Sequence, residues 1–175
     1  MSAGLPVDEE DLAVSLWAHG VRVLSLPSEP RADVEGASMP VPTLAARLAS
    51  SSSPLLRSCL PVLLLVHGER AGEIRSGVAA LSCQDARRLQ TLYTIAVCLQ
   101  RLWWTRLHLS TSAMPRLEDT YSAELGLPDP ERMFGRACLA AIDVGLVEDC
   151  ERTLAVFLEE REREHRLAET AGGRE

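Results

Sequence analysis

Between Gln84 and Leu109 apolar side chains return every three or four positions, at Leu89, Leu92, Ala96, Leu99, Trp103 and Leu107. That period belongs to one face of an α-helix, not to a strand. Ile95, Cys98 and Leu102 widen the stripe, so this helix needs cover on more than one side and sits at the centre of any core the chain can build. A length of 175 residues with 46% hydrophobic side chains suffices for one such core without disulfides or metal. Aromatic residues make up only 4%, and Val, Ile and Tyr are too scattered for a β-sandwich.

Shorter helices arrange themselves around this one. Ser82 is placed to cap its start. Ser53 followed by Pro54 begins another, because proline at the first helical position lacks only a donor that would be orphaned anyway. This second helix reaches about His67 and is closed by Gly68, with Pro61 expected to kink or split it. Thr43 opens a short pattern through Leu44, Ala45 and Leu48, and residues 69–81 form a weaker helix. Residues 116–125 read as a short helix closed by Gly126. Asp129 and Pro130 start one that extends to about Gly145, and residues 147–169 make the last, supported by Glu159 with Arg163 and Glu162 with Arg166. The expected fold is all-α, an irregular bundle of about seven helices, with room for one short N-terminal strand over Val21 to Leu26.

Residues 1–42 differ from the rest, with two arginines against seven acids and turns at LPSEP and MPVP. They are read as an appended N-terminal segment whose one helix starts near Asp8, passes Trp17 and ends at Gly20. Residues 43–169 are the helical domain and 170–175 a disordered tail.

Every one of the 18 basic residues is arginine, which excludes Schiff-base and P-loop lysine chemistry. A GC-rich bacterial genome explains the bias without any role in phosphate recognition. The net charge of −7 repels nucleic acid and anionic membrane. The amino terminus lacks a signal-peptide pattern, and the longest apolar run, Leu60 to Val66, is too short to span a bilayer. Cys59, Cys83, Cys98, Cys138 and Cys150 are odd in number and widely spaced, which reads as reduced, buried thiols in a cytoplasmic protein. No zinc spacing, nucleotide loop or G-x-S-x-G elbow occurs, so no metal or cofactor is expected.

One arrangement carries chemistry. Arg87, Thr94, Arg101 and His108 are each seven residues apart, and seven steps of about 100° return a helical side chain to within about 20° of its start. The bland reading is a solvated helix face. The catalytic reading is that Arg101 and His108 resemble the Arg, four to six residues, His pattern of the HEPN superfamily of helical ribonucleases, generally homodimers. That resemblance implies an arginine stabilising phosphate charge and a histidine moving the proton; Leu102 departs from it, standing where a polar residue usually follows the arginine. His67 and His19 lie beside glycines at helix ends, where capping explains them, and His165 sits in a charged surface run. Trp103 and Trp104 point about 100° apart, so both are buried only if the helix is covered on two sides; the alternative is that one of them faces a protein partner.

The stretches PLLRSCLPVLLLVHGE, ARRLQTLYTIAVCLQRLWWTRL and YSAELGLPDPERMFG, spanning roughly residues 54–140, resemble uncharacterised bacterial helical proteins that accompany minimal nucleotidyltransferases. The resemblance implies a noncatalytic companion, antitoxin-like or regulatory, that binds such an enzyme, and assigns no residue a role. A third reading is a small-ligand regulator with an apolar pocket between its helices beside Trp103.

Overall fold

The computed structural model describes residues 7–24, 39–110 and 114–172. Within them lie eight α-helices and no strand: α1 (Val7–Ala18), α2 (Val41–Ser50), α3 (Pro54–Val66), α4 (Ala71–Gly77), α5 (Cys83–Leu102), α6 (Trp104–Ser110), α7 (Arg136–Leu139) and α8 (Val144–Gly172). Val21 to Leu24 is irregular chain, not the start of a strand, and Ser25 and Leu26 lie outside the described residues.

The all-α expectation holds because the apolar stripes find one another. α3 packs against α8, α5 and α2 and buries nine of its residues, Leu56, Leu60, Leu63 and Leu64 among them. α5 supplies Leu89, Leu92, Tyr93, Ile95, Ala96 and Leu99, and α8 supplies Leu154, Phe157 and Leu158. The buried hydroxyls of Ser58 on α3 and Thr153 on α8 satisfy each other across 2.7 Å. Pro61 does not split α3, which runs through it wholly buried. Ser82 caps α5 as expected, its hydroxyl accepting from the Asp85 amide at 3.2 Å.

The N-terminal segment shares this core. Leu12, Ala13, Leu16, Val21 and Leu24 are buried with the rest, and α1 lies on α2 and α3. Two histidines fasten it. The Met39 carbonyl accepts from His19 Nε2 at 2.7 Å, and the His19 carbonyl accepts from His67 Nε2 at 3.1 Å. His67 thus meets a carbonyl of another segment, not those of its own helix end. Asp8 falls inside the first turn of α1, which begins one residue earlier. At the other end α8 extends to Gly172, with 173–175 outside the described residues.

Three expected helices change form. The single helix over 84–109 is two, since Trp103 (φ −103°, ψ 15°) ends α5 and α6 starts at the next residue. The break lets Leu107 bury while Arg106 pairs with Glu162 of α8 at 2.7 Å and lies over the Trp103 ring. Residues 116–125 hold only a closed turn, in which the Leu127 amide donates to the Ser122 carbonyl at 2.8 Å and Gly126 has φ 72°. Over 129–145 the helix is interrupted. A tight turn, Arg132–Gly135, precedes the single turn of α7, and α8 begins only at Val144.

Candidate functional site

The interruption at Arg132–Gly135 places two apolar side chains on the surface by way of an unusual backbone. Met133 (φ 52°, ψ 35°), Phe134 (φ 55°, ψ 43°) and Gly135 (φ 85°, ψ −14°) are consecutive left-handed residues. For a residue with a Cβ this conformation costs roughly 1–2 kcal/mol, so Met133 and Phe134 together store about 2–4 kcal/mol. The turn spends that energy presenting two apolar side chains to water, Met133 at 68% and Phe134 at 74% exposure.

Two anchors hold the turn. On its C-terminal side Gly135 rests directly on α5, and a Cβ there would stand 2.7 Å from the Cys98 carbonyl oxygen and 2.8 Å from its Cα. Only glycine fits both the backbone angle and this approach. On its N-terminal side Glu131 is gripped by two guanidiniums. Its Oε1 accepts from Arg101 Nε at 2.9 Å and from Arg116 Nη2 at 2.8 Å, and these hydrogen bonds, Arg101's first, hold its carboxyl below the usual range. The Glu131 amide in turn donates to Asp129 Oδ1 at 2.8 Å, which makes Asp129 a cap of one turn only.

Arg101 is therefore a clamp. Its Nη1 donates to Gln100 Oε1 at 3.0 Å and its Nη2 to the Leu117 carbonyl at 2.8 Å, and only 9% of its side chain is exposed. Gln100, fully buried, completes the junction. Its Oε1 accepts from the Leu117 amide at 2.8 Å and its Nε2 donates to the Pro115 carbonyl at 2.9 Å. Together they strap residues 115–131 to α5.

The sequence-level polar stripe does not survive as one surface. Arg87 is exposed, Thr94 is buried, Arg101 lies under the strap, and His108 stands exposed on α6, beyond the break. The His108 ring stacks on Trp104, with centroids 5.3 Å apart and planes 21° apart. Trp103 and Trp104 diverge as their spacing requires. Trp103 packs partly buried against the core, and Trp104 is 41% exposed.

Trp104, Met133 and Phe134 line an open groove of about 870 Å³ with Arg101, Arg116, Arg136 and Glu131 on its walls. A smaller hollow of about 470 Å³ beside Trp103 adjoins it, sharing Leu102 and Arg136 and reaching Glu151. Arg136 makes no ion pair among the described residues and is exposed between the two. Among the described residues no His, Cys, Asp and Glu group is arranged to hold a metal, and no helix is long and apolar enough to cross a membrane.

The sequence pointed to the pair Trp103 and Trp104 without saying which faces outward, and the structure exposes Trp104. Met133, Phe134, Arg116, Glu131 and Arg136 were not identifiable from it, because ERMFG reads as ordinary helix; Gly135 is the one local signal of a turn. No family model, curated protein or solved structure matches the chain.

Proposed function

We propose that this chain is a noncatalytic interaction protein of the cytoplasm that holds a partner polypeptide in the groove of Trp104, Met133 and Phe134. The observation that carries the reading is the pair Met133 and Phe134, exposed on left-handed backbone. Backbone strain of this kind persists only where the surrounding structure enforces it, as the two pins do here, and it clusters at functional sites. Covering a phenylalanine or methionine side chain returns about 1.5–3 kcal/mol each, so docking a partner recovers what the turn stores. Aromatic residues, Met and Arg are the side chains enriched at protein interfaces, and they are the ones gathered here. A nucleotidyltransferase is the partner suggested by the resemblance of residues 54–140, with this chain as its antitoxin-like or regulatory companion. Free thiols at all five cysteines suit a reducing compartment.

The ribonuclease reading asks Arg101 to meet a phosphate, yet its three nitrogens already serve Glu131, Gln100 and Leu117. A small ligand has room in the groove, whose volume lies in the range of about 300–1,000 Å³ common for such sites.

The test is affinity purification from the native host of the wild type beside Phe134→Asn, with an RNA-cleavage assay on the wild type and His108→Ala. Asparagine accepts the left-handed region better than phenylalanine, so the variant folds while losing its anchor. A stoichiometric polypeptide present with the wild type and absent with Phe134→Asn supports the reading. Equal recovery with both, no partner with either, or cleavage that His108→Ala abolishes sinks it.

A further inference from the structure

The walls of the groove are not neutral. Arg101, Arg116 and Arg136 face a single carboxylate, Glu131, which is already shared by the first two. The groove therefore carries an excess of two positive charges, in a chain whose net charge is −7. Arg136, without an ion pair among the described residues, is the charge left to bind with; it stands where the groove meets the hollow beside Trp103, whose lining adds one carboxylate, Glu151, and leaves the two together with an excess of one positive charge.

This charge selects among occupants. A second copy of the chain, paired two-fold through the groove, would set the same three arginines against their own symmetry mates. A long polyanion such as RNA meets the repulsion of the whole acidic molecule, and within the groove lining it finds one arginine without an ion pair, Arg136, too few for a phosphate track. A short segment with one or two carboxylates beside an apolar side chain meets neither obstacle. Its apolar anchor lies between Trp104, Met133 and Phe134, and its carboxylate reaches the Arg136 guanidinium, a fork that takes both oxygens.

We propose that the groove receives an acidic segment of a different polypeptide, an apolar anchor flanked by Asp or Glu, with Arg136 as the residue that reads its charge. This rests on the interaction reading above and names the chemistry of the partner. The Glu131 carboxylate sets the register, because it repels a second acid placed over Arg101 and Arg116 and leaves Arg136 as the contact.

The experiment places the photocrosslinking amino acid p-benzoyl-phenylalanine at Thr105, an exposed wall residue, in the full chain expressed in its native host. The crosslinked segment is sequenced by mass spectrometry. The expected adduct is a segment of another polypeptide in which an apolar residue neighbours Asp or Glu. Its yield falls about tenfold in Arg136→Glu, which swaps attraction for repulsion at one contact, and recovers when the segment's acid is changed to lysine. An adduct with a neutral or basic segment, with a copy of this chain or with nucleic acid overturns the proposal. Loss of the adduct in Phe134→Asn but not in Arg136→Glu leaves the interaction reading standing and removes the acidic partner. An adduct indifferent to both substitutions removes both.

Discussion

Replacing Gly135 with alanine tests whether the left-handed turn truly rests on the central helix. The added Cβ would stand 2.7 Å from the Cys98 carbonyl oxygen, 2.8 Å from its Cα and 2.9 Å from its Cβ. The first two atoms are backbone of α5 in the middle of the core and cannot swing aside as a side-chain tip would. Holding an alanine at φ 85° costs roughly 1–2 kcal/mol, and forcing a methyl into filled space adds about 1–3 kcal/mol. The expected loss is about 2–5 kcal/mol, a large part of the roughly 5–15 kcal/mol that stabilises a domain. In urea titrations followed by circular dichroism, with a slope of about 2 kcal/mol per molar, the midpoint falls by about 1–2.5 M. Gly77→Ala is the control, since its Cβ meets nothing within 4 Å and its backbone is ordinary helix. There the midpoint holds or rises, by up to about 1 kcal/mol in stability. A Gly135→Ala protein that unfolds at the wild-type midpoint would refute the contact, and with it the account of why Met133 and Phe134 are exposed.

Gln100→Ala removes the hydrogen bonds that tie Pro115 and Leu117 to α5 and strands the Leu117 amide in the core, so urea unfolding shows a loss of about 2–4 kcal/mol; a loss below about 1 kcal/mol would mean the strap is held elsewhere. Glu131 has a folded-state carboxyl pKa lowered chiefly by its hydrogen bonds from Arg101 and Arg116. Its contribution is complete above the ordinary glutamate range and disappears as pH falls through the depressed folded value. Glu131→Gln therefore flattens the acid limb of a stability-versus-pH curve at low salt, less so at high salt because the carboxylate is half-exposed, and an unchanged limb would show that the pair contributes nothing. Of the five thiols only Cys83 is exposed, and burial pushes Cys59 and Cys150 up to about 12. Titration with a thiol-specific disulfide reagent near about pH 8 labels Cys83 alone in the native state and all five in denaturant; a second fast thiol would contradict the packing.

How much of the molecule was legible in advance depends on the range over which its causes act. The apolar period of residues 84–109, the Ser82 cap, the Ser53–Pro54 start and the Gly20 stop are local facts of side-chain spacing and backbone freedom, and each reappears in the fold. The departures all come from contacts distant in sequence. α5 ends at Trp103 because Leu107 and Arg106 are drawn to α8, and residues 116–125 stay irregular because Gln100 and Arg101 take their backbone groups. The N-terminal segment reads as appended from its charge, yet it is fastened by His19 and His67, 48 residues apart.

The candidate site shows the same division more sharply. Residue type and spacing determined that the chain is helical, that it holds no lysine chemistry, and that two adjacent tryptophans point apart. Only the tertiary structure decided that Arg101 is a clamp and that Met133 and Phe134 stand in water. The reason is that Gly135 must lie against Cys98 while Glu131 is held by Arg101 and Arg116, and a turn pinned at both ends by residues far away in sequence takes whatever backbone angles the two pins impose.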